Sequence, residues 1–421
     1  MRVPRAFFFK RSAPALLAAA SAALLGLAAA GCNSSGGGGG SAAGGTGGGD
    51  GGAIRIGHYA SMTGENSTFG VETDNGIKLA AEEINAAGGI NGRQVRIETQ
   101  DDQSKPEEAV TVVTKFASDP NIVAVLGEVA STRSKAAAPV LQSAQVPMVS
   151  PSSTNPEVTR IGDYIFRVCF IDPFQGYVMA KFARENLKVD RVAIMRDQKS
   201  DYSVGLADVF KDEFAKMGGT IVQDVSYNSG DSDFRAQLAQ VKAASPQAIY
   251  ATGYYPEVGP IARQARELGV NVPLMGGDGW DSPQLIPGAG GPGKALENCY
   301  FSNHYSKDDK SPRVQDFVKA YRAKYNAAPS GLAAMGYDAM KLLGDAIQRA
   351  GSADRKAIRD ALAATKNFPG VTGDITIDAE RNATKPAVVL QIKGNEFVYA
   401  ATVQPPTAVA SSGAGSAPAA R

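Results

Sequence analysis

The chain has 421 residues, of which 43% are hydrophobic and 20% are charged. Its 43 Lys and Arg nearly balance its 42 Asp and Glu, so no basic excess indicates a nucleic-acid partner. Residues 53–402 have a globular composition and are numerous enough for two domains. Past residue 31, no apolar run reaches transmembrane length.

Residues 1–31 are predicted to be a signal peptide. This leader holds four basic residues and no acid, so the rest of the chain carries 39 Lys and Arg against 42 acids, a net charge of −3. Its apolar stretch ends in Ala29-Ala30-Gly31-Cys32, which resembles the lipobox of bacterial lipoproteins, although Ala29 stands where leucine is usual. Cys32 would then carry a lipid anchor and hold an exported protein on a membrane, in the periplasm or at the cell surface. Simple secretion and an uncleaved anchor helix are the alternatives.

Segments of low complexity flank the globular part. Residues 32–52, after the cysteine, are almost wholly Gly, Ser and Ala, a composition that forms a flexible tether. Residues 403–421 are rich in Ala, Ser, Gly and Pro and are predicted to be a disordered tail.

Short apolar runs alternate with helical patterns along the globular part. In the first helix, Ile77, Ala80, Ala81 and Ile84 recur at helical spacing and predict one buried stripe, which ends before Gly88-Gly89. This alternation predicts an α/β fold of parallel sheets with helices on both faces. The predicted strands are 54–56, 95–99, 122–126, 146–149, 164–168, 191–195, 220–225, 248–251, 272–275, 387–392 and 396–402. The predicted helices are 69–87, 106–117, 174–187, 204–217, 313–325, 332–350 and 355–364.

Two cysteines, Cys169 and Cys299, lie within the globular part. An oxidising compartment could join them in a disulfide. The alternative is two buried thiols that act as small apolar residues.

Five loops that each follow a short apolar run carry hydroxyls, aromatic rings and acids. Because the ligand crevice of an open α/β sheet lies beyond the carboxyl ends of its strands, these loops are expected to converge on one site. Hydroxyls from two loops can donate to a carboxylate, and an acid opposite them can accept from an ammonium. A small zwitterion is therefore the predicted ligand. The loops hold Ser131-Thr132, Ser152-Ser153-Thr154, Asp201-Tyr202, Tyr254-Tyr255 and Asp278-Gly279-Trp280.

Many spaced segments of the chain carry a family resemblance that is more specific than any single motif. They include Ser61-Met62-Thr63-Gly64, Phe69-Gly70, Gly76-Ile77-Lys78-Leu79-Ala80, residues 84–93, residues 150–156, Phe166-Arg167-Val168, Tyr254-Tyr255-Pro256-Glu257 and residues 276–280. In these segments the chain resembles the leucine/isoleucine/valine-binding proteins, which are type I periplasmic binding proteins of ABC transporters. The similarity extends from about residue 54 to residue 399.

The resemblance implies two lobes, each a parallel sheet with helices on both faces, that clamp a ligand between them and are joined by three crossover hinge strands. Lobe one would comprise residues 53–168 and 305–384, and lobe two residues 169–304 and 385–402. The hinges would fall near 168–170, 303–305 and 384–386. ABC permease subunits would recognise the closed form of a monomer, and the resemblance implies no cofactor, metal or catalytic step.

The resemblance also implies roles for the hydroxyl loops, in which Thr132 and Ser153 are further candidates. Ser131 matches the family serine that holds the ligand carboxylate, at a helix start whose free N–H groups favour an anion. A helix N-cap is the alternative role. Ser152 and Thr154 match positions where the family uses a backbone group and a hydroxyl, and an ordinary turn is the alternative for both.

The remaining candidates would hold the other parts of an amino acid. Asp278 matches the acid that pairs with the ligand ammonium, where the family has glutamate; a local turn is the alternative. Tyr202 and Tyr254 match positions that wall the side-chain pocket, and Phe69 stands where tyrosine is expected. Trp280 could cover the ligand, and core packing is the alternative for each ring. Apolar walls imply a branched-chain or other hydrophobic amino acid.

Catalytic and metal-binding motifs are absent from the sequence. His58 and His304 belong to no metal-spaced cluster and are interpreted as ordinary strand-end residues. Residues 288–293 match G-x-G-x-x-G literally but follow a polar loop and contain a proline. A transport receptor is therefore favoured over a signalling sensor, over a binder of an amide or aromatic acid, and over an enzyme with Ser131 or Cys169 as its nucleophile.

Overall fold

The computed structural model describes residues 52–405. The predicted signal peptide, Cys32 and nearly all of the tether and tail lie outside the described residues. The last strand continues to Val403, one residue into the segment predicted to be a tail. Within 52–405, no helix is both long enough and apolar enough to cross a membrane.

The first sheet has the strand order β2-β1-β3-β4-β5, and all of its neighbouring strands are parallel. Parallel strands covered on both faces need apolar side chains on both sides, which explains why every residue of the central strand, Ile-Val-Ala-Val-Leu, is apolar and buried. The strands are β1 (Ile54–Ala60), β2 (Val95–Asp101), β3 (Ile122–Leu126), β4 (Met148–Ser150) and β5 (Ile165–Arg167).

The second sheet has the order β15-β14-β10-β9-β8-β6-β7. Its strands from β6 to β10 are parallel, but β14 runs antiparallel to both β10 and β15. The reason is local: only Gly394 and Asn395 separate the last two strands, and a two-residue hairpin joins antiparallel neighbours. The strands are β6 (Arg191–Asp197), β7 (Thr220–Tyr227), β8 (Ala248–Thr252), β9 (Leu274–Gly276), β10 (Cys299–Asn303), β14 (Ala387–Lys393) and β15 (Glu396–Val403).

A small antiparallel sheet, absent from the predicted elements, consists of β11 (Phe368–Gly370), β12 (Gly373–Ile377) and β13 (Ala383–Thr384). The helices are α1 (Ser67–Ala86), α2 (Pro106–Ser118), α3 (Ser131–Ser143), α4 (Glu157–Arg160), α5 (Asp172–Glu185), α6 (Asp201–Lys216), α7 (Arg235–Ala243), α8 (Tyr255–Glu267), α9 (Leu285–Gly288), α10 (Pro312–Tyr325), α11 (Gly331–Ala350) and α12 (Arg355–Ala363).

Local sequence explains the two long helices that pack against each other, α1 and α11. The predicted stripe of α1 is confirmed for Ile77, Ala80 and Ala81, which are buried, whereas Ile84 is partly buried against the same core. The helix ends before two glycines with positive φ. In α11, the Ser330 hydroxyl caps the first turn by accepting from Ala333 N at 3.2 Å. Gly351 closes the same helix in the left-handed conformation.

The chain passes between the two large sheets at three places. It leaves the first sheet after β5, and returns after β10 to form α10, α11 and α12. Of these, α11 contacts β4, α12 contacts β3, and α10 packs against α1. It enters the second sheet again between β13 and β14. The fold is therefore two-lobed, with a lobe built on each large sheet, and the predicted α/β class is confirmed.

Of the two alternatives for the cysteines, the disulfide does not form, because Cys169 and Cys299 are free and buried in different cores. Cys169 Sγ faces the carbonyl of Ser153 at 3.4 Å, whereas Cys299 Sγ faces the carbonyl of Glu297 at 3.8 Å. Burial raises the pKa of each thiol to about 12. Both cysteines are therefore inert buried thiols, as the second alternative expected. Because the thiolate is the nucleophilic form, a thiol that stays protonated disfavours Cys169 as a nucleophile.

Candidate functional site

Ser131 is the first residue of α3 and is buried beside the loop that follows β4. Its hydroxyl accepts a hydrogen bond from Asn155 N at 3.2 Å, so it joins the two hydroxyl loops. The N-cap position belongs to Ala130, which provides no side-chain cap, so the N-cap alternative for Ser131 does not hold. The Glu128 carboxylate accepts from the backbone N–H of Ala130 and so fixes the start of the helix.

Ser153 braces the same region from the neighbouring loop. Its hydroxyl lies 2.8 Å from the carbonyl of Glu128 and 3.0 Å from that of Val129, both just ahead of α3. The buried guanidinium of Arg167 donates to the carbonyls of Ser153 and Asn155. Ser153 therefore holds the loops together by contacts to backbone rather than by facing the cleft.

The two threonine candidates connect the lobes. Thr132 Oγ1 accepts from Asp201 N at 3.0 Å, across the gap between α3 and α6. Thr154 is buried, and its carbonyl accepts from Asp172 N at 3.0 Å. Burial raises the pKa of the Asp172 carboxyl to about 7, and the hydroxyl of Thr154 opposes this shift. Both threonines of the first lobe thus contact residues of the second lobe.

Asp278 follows β9 in a short 3₁₀ turn and is only 4% exposed. Its Oδ2 accepts from the Ser152 hydroxyl at 3.3 Å and lies 3.0 Å from His304 Nε2. Its backbone N–H donates to Gln175 Oε1 at 2.9 Å. The second carboxylate oxygen, Oδ1, is buried and has no hydrogen-bond partner among residues 52–405. One acceptor is thus held in place by the protein, and the other is available.

His304 is a site residue that the sequence reasoning missed by treating it as an ordinary strand-end residue. Its ring is buried and stacks on Phe170 with centroids 3.9 Å apart, so two of the segments that connect the lobes meet at this contact. Burial lowers the pKa of His304 to about 4, which keeps the imidazole neutral near pH 7. A neutral imidazole with its proton on Nε2 donates to Asp278 Oδ2. The one signal in the sequence was its position inside the predicted hinge 303–305.

Three of the predicted aromatic residues come together beside Asp278. The rings of Tyr202 and Tyr254 stack with centroids 5.2 Å apart, and the Tyr202 hydroxyl accepts from Gly279 N at 3.1 Å. Phe69 lies edge-on to Tyr254, with centroids 5.5 Å apart, and to Tyr255, at 5.0 Å. Rings from both lobes therefore form a continuous apolar wall.

Trp280 does not join this wall. Its side chain is fully buried in the core of the second lobe, where Nε1 donates to the carbonyl of Ala251 at 3.1 Å. The short turn that begins at Asp278 aims the carboxylate at the cleft and the indole at the core. Trp280 therefore packs in the core, which was the alternative to covering the ligand.

The cleft residues enclose a cavity of about 10 Å³, so the lobes are closed on each other. Contacts across the cleft include an ion pair between Lys135 and Asp201 at 2.8 Å and a hydrogen bond from the Tyr255 hydroxyl to the Glu65 carbonyl at 2.9 Å. A ligand of amino-acid size must therefore enter a more open arrangement. The cavity is lined by Phe69, Val129, Ser152, Tyr202, Tyr254, Asp278, Gly279 and Leu332.

A buried cluster of charged residues supports the first lobe's side of the cleft. The Ser61 hydroxyl lies 2.9 Å from Asp102 Oδ1 and 3.0 Å from Glu128 Oε1, and Arg133 Nε lies 3.1 Å from Glu128 Oε2. Burial and the neighbouring Glu128 raise the pKa of Asp102 to about 8. The raised pKa favours the protonated form of Asp102, while Glu128 pairs with Arg133 and accepts from the backbone at the start of α3.

Comparison with known proteins agrees with this architecture. A family model described as periplasmic binding protein matches residues 53–396. A Leu/Ile/Val-binding protein of Rhizobium johnstonii is 35% identical over 329 residues, which cover 77% of this chain and 87% of the relative.

Solved structures give the same result. The crystal structure of a leucine-binding protein from Thermotoga maritima has a TM-score of 0.80 and 42% identity, and covers 84% of this chain and 99% of its own. The branched-chain amino acid transporter substrate-binding protein of Streptococcus pneumoniae, in complex with isoleucine, has a TM-score of 0.80 and 36% identity. The match covers 84% of this chain and 100% of that protein. The chain therefore belongs to the family of type I periplasmic binding proteins that resemble the Leu/Ile/Val-binding proteins.

Proposed function

We propose that the protein is the substrate-binding component of an ABC transporter, and that it captures a branched-chain or other hydrophobic amino acid in the cleft and delivers it to a membrane permease. The observation that carries this proposal is the Asp278 carboxylate, which is buried and held through one oxygen while the other has no hydrogen-bond partner within the described part of the chain. The names of the relatives and neighbours support the class of ligand.

The ammonium of the ligand would bind Asp278 Oδ1. Because His304, on the same lobe, already fixes Oδ2, the carboxylate loses little side-chain freedom when the ligand arrives. Exclusion of water by lobe closure strengthens such a charge-assisted hydrogen bond, whose contribution is about 1.5–3 kcal/mol. Asp278 is one methylene shorter than the family glutamate, so the carboxylate would reach further into the cleft or the lobes would close slightly more.

The carboxylate of the ligand would bind at the start of α3, a helix of 13 residues. The first N–H groups of a helix point outward, and the aligned peptide dipoles favour an anion there. The Ser131 hydroxyl lies at this point, and the loop that contains Ser152 and Thr154 passes beside it. Several donors, most of them on the backbone, can share the charge.

The side chain of the ligand would contact the wall formed by Phe69, Tyr202 and Tyr254, with Leu332 opposite. Burying an aliphatic side chain on such a surface contributes about 1.5–3 kcal/mol. This wall supports a branched or aromatic side chain over a charged one.

Closure would be a hinge rotation of residues 53–168 with 305–384 against residues 169–304 with 385–402. The contacts of Asp201 with Thr132 and Lys135 would break on opening, so each favours the closed form that a permease would recognise. We further propose, from the sequence alone, that the protein is exported, that Cys32 carries a lipid, and that residues 32–52 tether the lobes to the membrane.

Thermal unfolding against a ligand panel tests the proposal. The purified protein, freed of bound ligand by unfolding and refolding, is heated with each amino acid, with small amides and with aromatic acids. A ligand specific to the folded state adds about 2.7 kcal/mol at a hundredfold excess over Kd, which raises the melting temperature by several degrees. We expect this rise with leucine, isoleucine, valine or a near relative; a rise confined to ligands without an ammonium would contradict the proposal.

A further inference from the structure

A second cavity, which we call the side pocket, lies between the lobes beside the cleft. Its volume is about 540 Å³, within the roughly 300–1,000 Å³ typical of small-molecule sites, whereas the cleft cavity measures about 10 Å³. The two cavities share no lining residue. A hydrogen bond from Gly331 N to Asp281 Oδ2, at 2.5 Å, lies at the boundary between them. Gly331 lines the side pocket, and the next residue, Leu332, lines the cleft cavity.

Apolar side chains from both lobes form most of the wall of the side pocket. Pro329 comes from the loop before α11, Ile286 from α9, and Leu390 and Phe397 from the final hairpin. Leu390 and Ile286 also belong to the core of the second lobe, which makes this wall rigid. A ligand for this pocket therefore has an apolar body.

The polar part of the lining is acidic. Three carboxyl groups, those of Glu72, Asp281 and Glu396, face a single ammonium, that of Lys307. Lys307 Nζ lies 2.8 Å from Glu396 Oε2, so this pair is internally neutralised. Glu72 and Asp281 are left without a cation, and Glu72 Oε2 is buried without a hydrogen-bond partner among residues 52–405.

Burial of these two acids changes their protonation. It raises the pKa of Glu72 to about 8, against the opposing effect of the Ser330 hydroxyl, and that of Asp281 to about 6. At pH 7 Asp281 is mostly ionised and Glu72 is mostly protonated. A cation placed between them would favour ionisation of both and release a proton from Glu72.

We propose that the side pocket is a second binding site, for an apolar primary amine whose ammonium lies between Glu72 and Asp281. Glu72 and Pro329 belong to elements of the first lobe, whereas Asp281 and Phe397 belong to the second. An amine bound here contacts both lobes and favours their closed arrangement. By linkage it increases the affinity of the cleft for its own ligand, and the cleft ligand increases the affinity for the amine to the same extent.

Calorimetric titration with phenethylamine tests the location of the site. The two key variants are Ala328→Trp, which fills the pocket from an exposed loop without altering an acid, and Asp278→Ala, which alters the cleft and leaves every lining residue of the side pocket in place. We expect binding to the wild type and to Asp278→Ala, and none to Ala328→Trp with an unchanged melting temperature. Binding retained by Ala328→Trp, or lost in Asp278→Ala, would place the amine elsewhere and overturn the proposal.

Two further titrations test the charge. Glu72→Gln keeps the size of the side chain, and 2-phenylethanol keeps the apolar body of the probe without its ammonium. Since charge-assisted hydrogen bonds exceed neutral ones, each change is expected to weaken binding about tenfold. Binding of phenethylamine to the wild type is also expected to release protons at pH 7, seen as a dependence of the heat on the buffer. Equal affinities and no proton release would contradict an ammonium site.

The coupling between the two sites is measured with leucine, and this step alone rests on the proposed function. Saturating phenethylamine is expected to increase the affinity for leucine about fivefold in the wild type and not in Ala328→Trp. An unchanged or lower affinity in the wild type would overturn the coupling. If leucine fails to bind at all, the proposed function is wrong, while the titrations of amine alone still decide the side pocket.

Discussion

The two ends of the cleft, one suited to an anion and the other to a cation, differ in how many groups can hold the charge. At the first lobe, the start of α3 offers several backbone N–H groups, and hydroxyls such as those of Ser131 and Ser153 connect the loops around it. At the second lobe, one carboxylate stands alone and depends on Ser152, His304 and Gln175 for its orientation. An anion can thus be held by redundant donors, whereas the ammonium has a single acceptor, so the two ends should differ in their sensitivity to substitution.

Replacing Asp278 with alanine should have the largest effect on binding. Truncating one partner of a buried charge pair costs about 2–5 kcal/mol, because the other charge stays desolvated without a partner. We expect calorimetry to show no measurable leucine binding, with the melting temperature of the ligand-free protein nearly unchanged. A leucine affinity within a factor of about two of the wild type would show that Asp278 does not bind the ligand.

The dependence of Asp278 on His304 should appear as a pH effect. The pKa of His304 is about 4 in the fold and lies near 6.5 in the unfolded chain, so the unfolded state binds the extra proton between these values. Stability from this group is therefore complete above about pH 6.5 and is lost as the pH falls towards 4, by on the order of 2–3 kcal/mol.

Other buried groups also titrate between about pH 4 and pH 6.5. The quantity to measure is therefore the difference in unfolding free energy between the wild type and a variant without the imidazole. Unfolding free energies of the wild type and His304→Gln are compared at each pH, because glutamine keeps a donor without a proton to gain. We expect the wild type to lose stability relative to the variant on acidification from pH 6.5 to pH 4.5. Parallel curves would show that His304 is not a buried neutral donor.

Ser131→Ala should weaken leucine binding by about 1 kcal/mol, less than loss of the acid, because the backbone N–H groups of α3 remain. A valine at Thr132 serves as the comparison, since it removes the neighbouring hydroxyl that contacts Asp201 across the cleft and leaves the Ser131 hydroxyl in place. If Ser131→Ala exceeded Asp278→Ala in its effect, the redundancy of the carboxylate end would be refuted.

Asp201→Asn should have the smallest effect. Its carboxylate pairs with Lys135, and both side chains are about one third exposed, so the pair contributes roughly 0–1 kcal/mol to closure. Leucine affinity should fall less than about threefold, and less still in high salt, where the wild-type pair is already screened. A loss comparable with that of Asp278→Ala would mean that acids in the cleft act through general charge rather than position.

Strand-end loops and family resemblance were enough to predict the fold class and most of the residues around the cleft. Ser152, Tyr202, Tyr254, Asp278 and Phe69 all line the cavity, because residues at the carboxyl ends of parallel strands converge whatever their exact contacts. The antiparallel edge of the second sheet was not predicted, although the two-residue loop Gly394-Asn395 is the local feature that produces it.

The remainder depends on tertiary geometry that no local pattern encodes. The contact between His304 and Asp278 requires the end of β10 to lie beside the turn after β9, a matter of sheet register. The direction of Trp280 depends on how one short turn divides its side chains between cleft and core. Whether two cysteines can pair depends on Cβ positions, and Cys169 and Cys299 lie in separate cores.

A cycle of one substitution and one ligand change tests most directly the claim that Asp278 accepts the ligand ammonium. Affinities of leucine and of 4-methylpentanoate, which is leucine without its amino group, are measured for the wild type and for Asp278→Asn. We predict that Asp278→Asn weakens leucine by at least about a hundredfold, close to 3 kcal/mol, and leaves 4-methylpentanoate unchanged or tighter. Equal changes for both ligands would show that Asp278 does not contact the ammonium, and would contradict the account of the cleft.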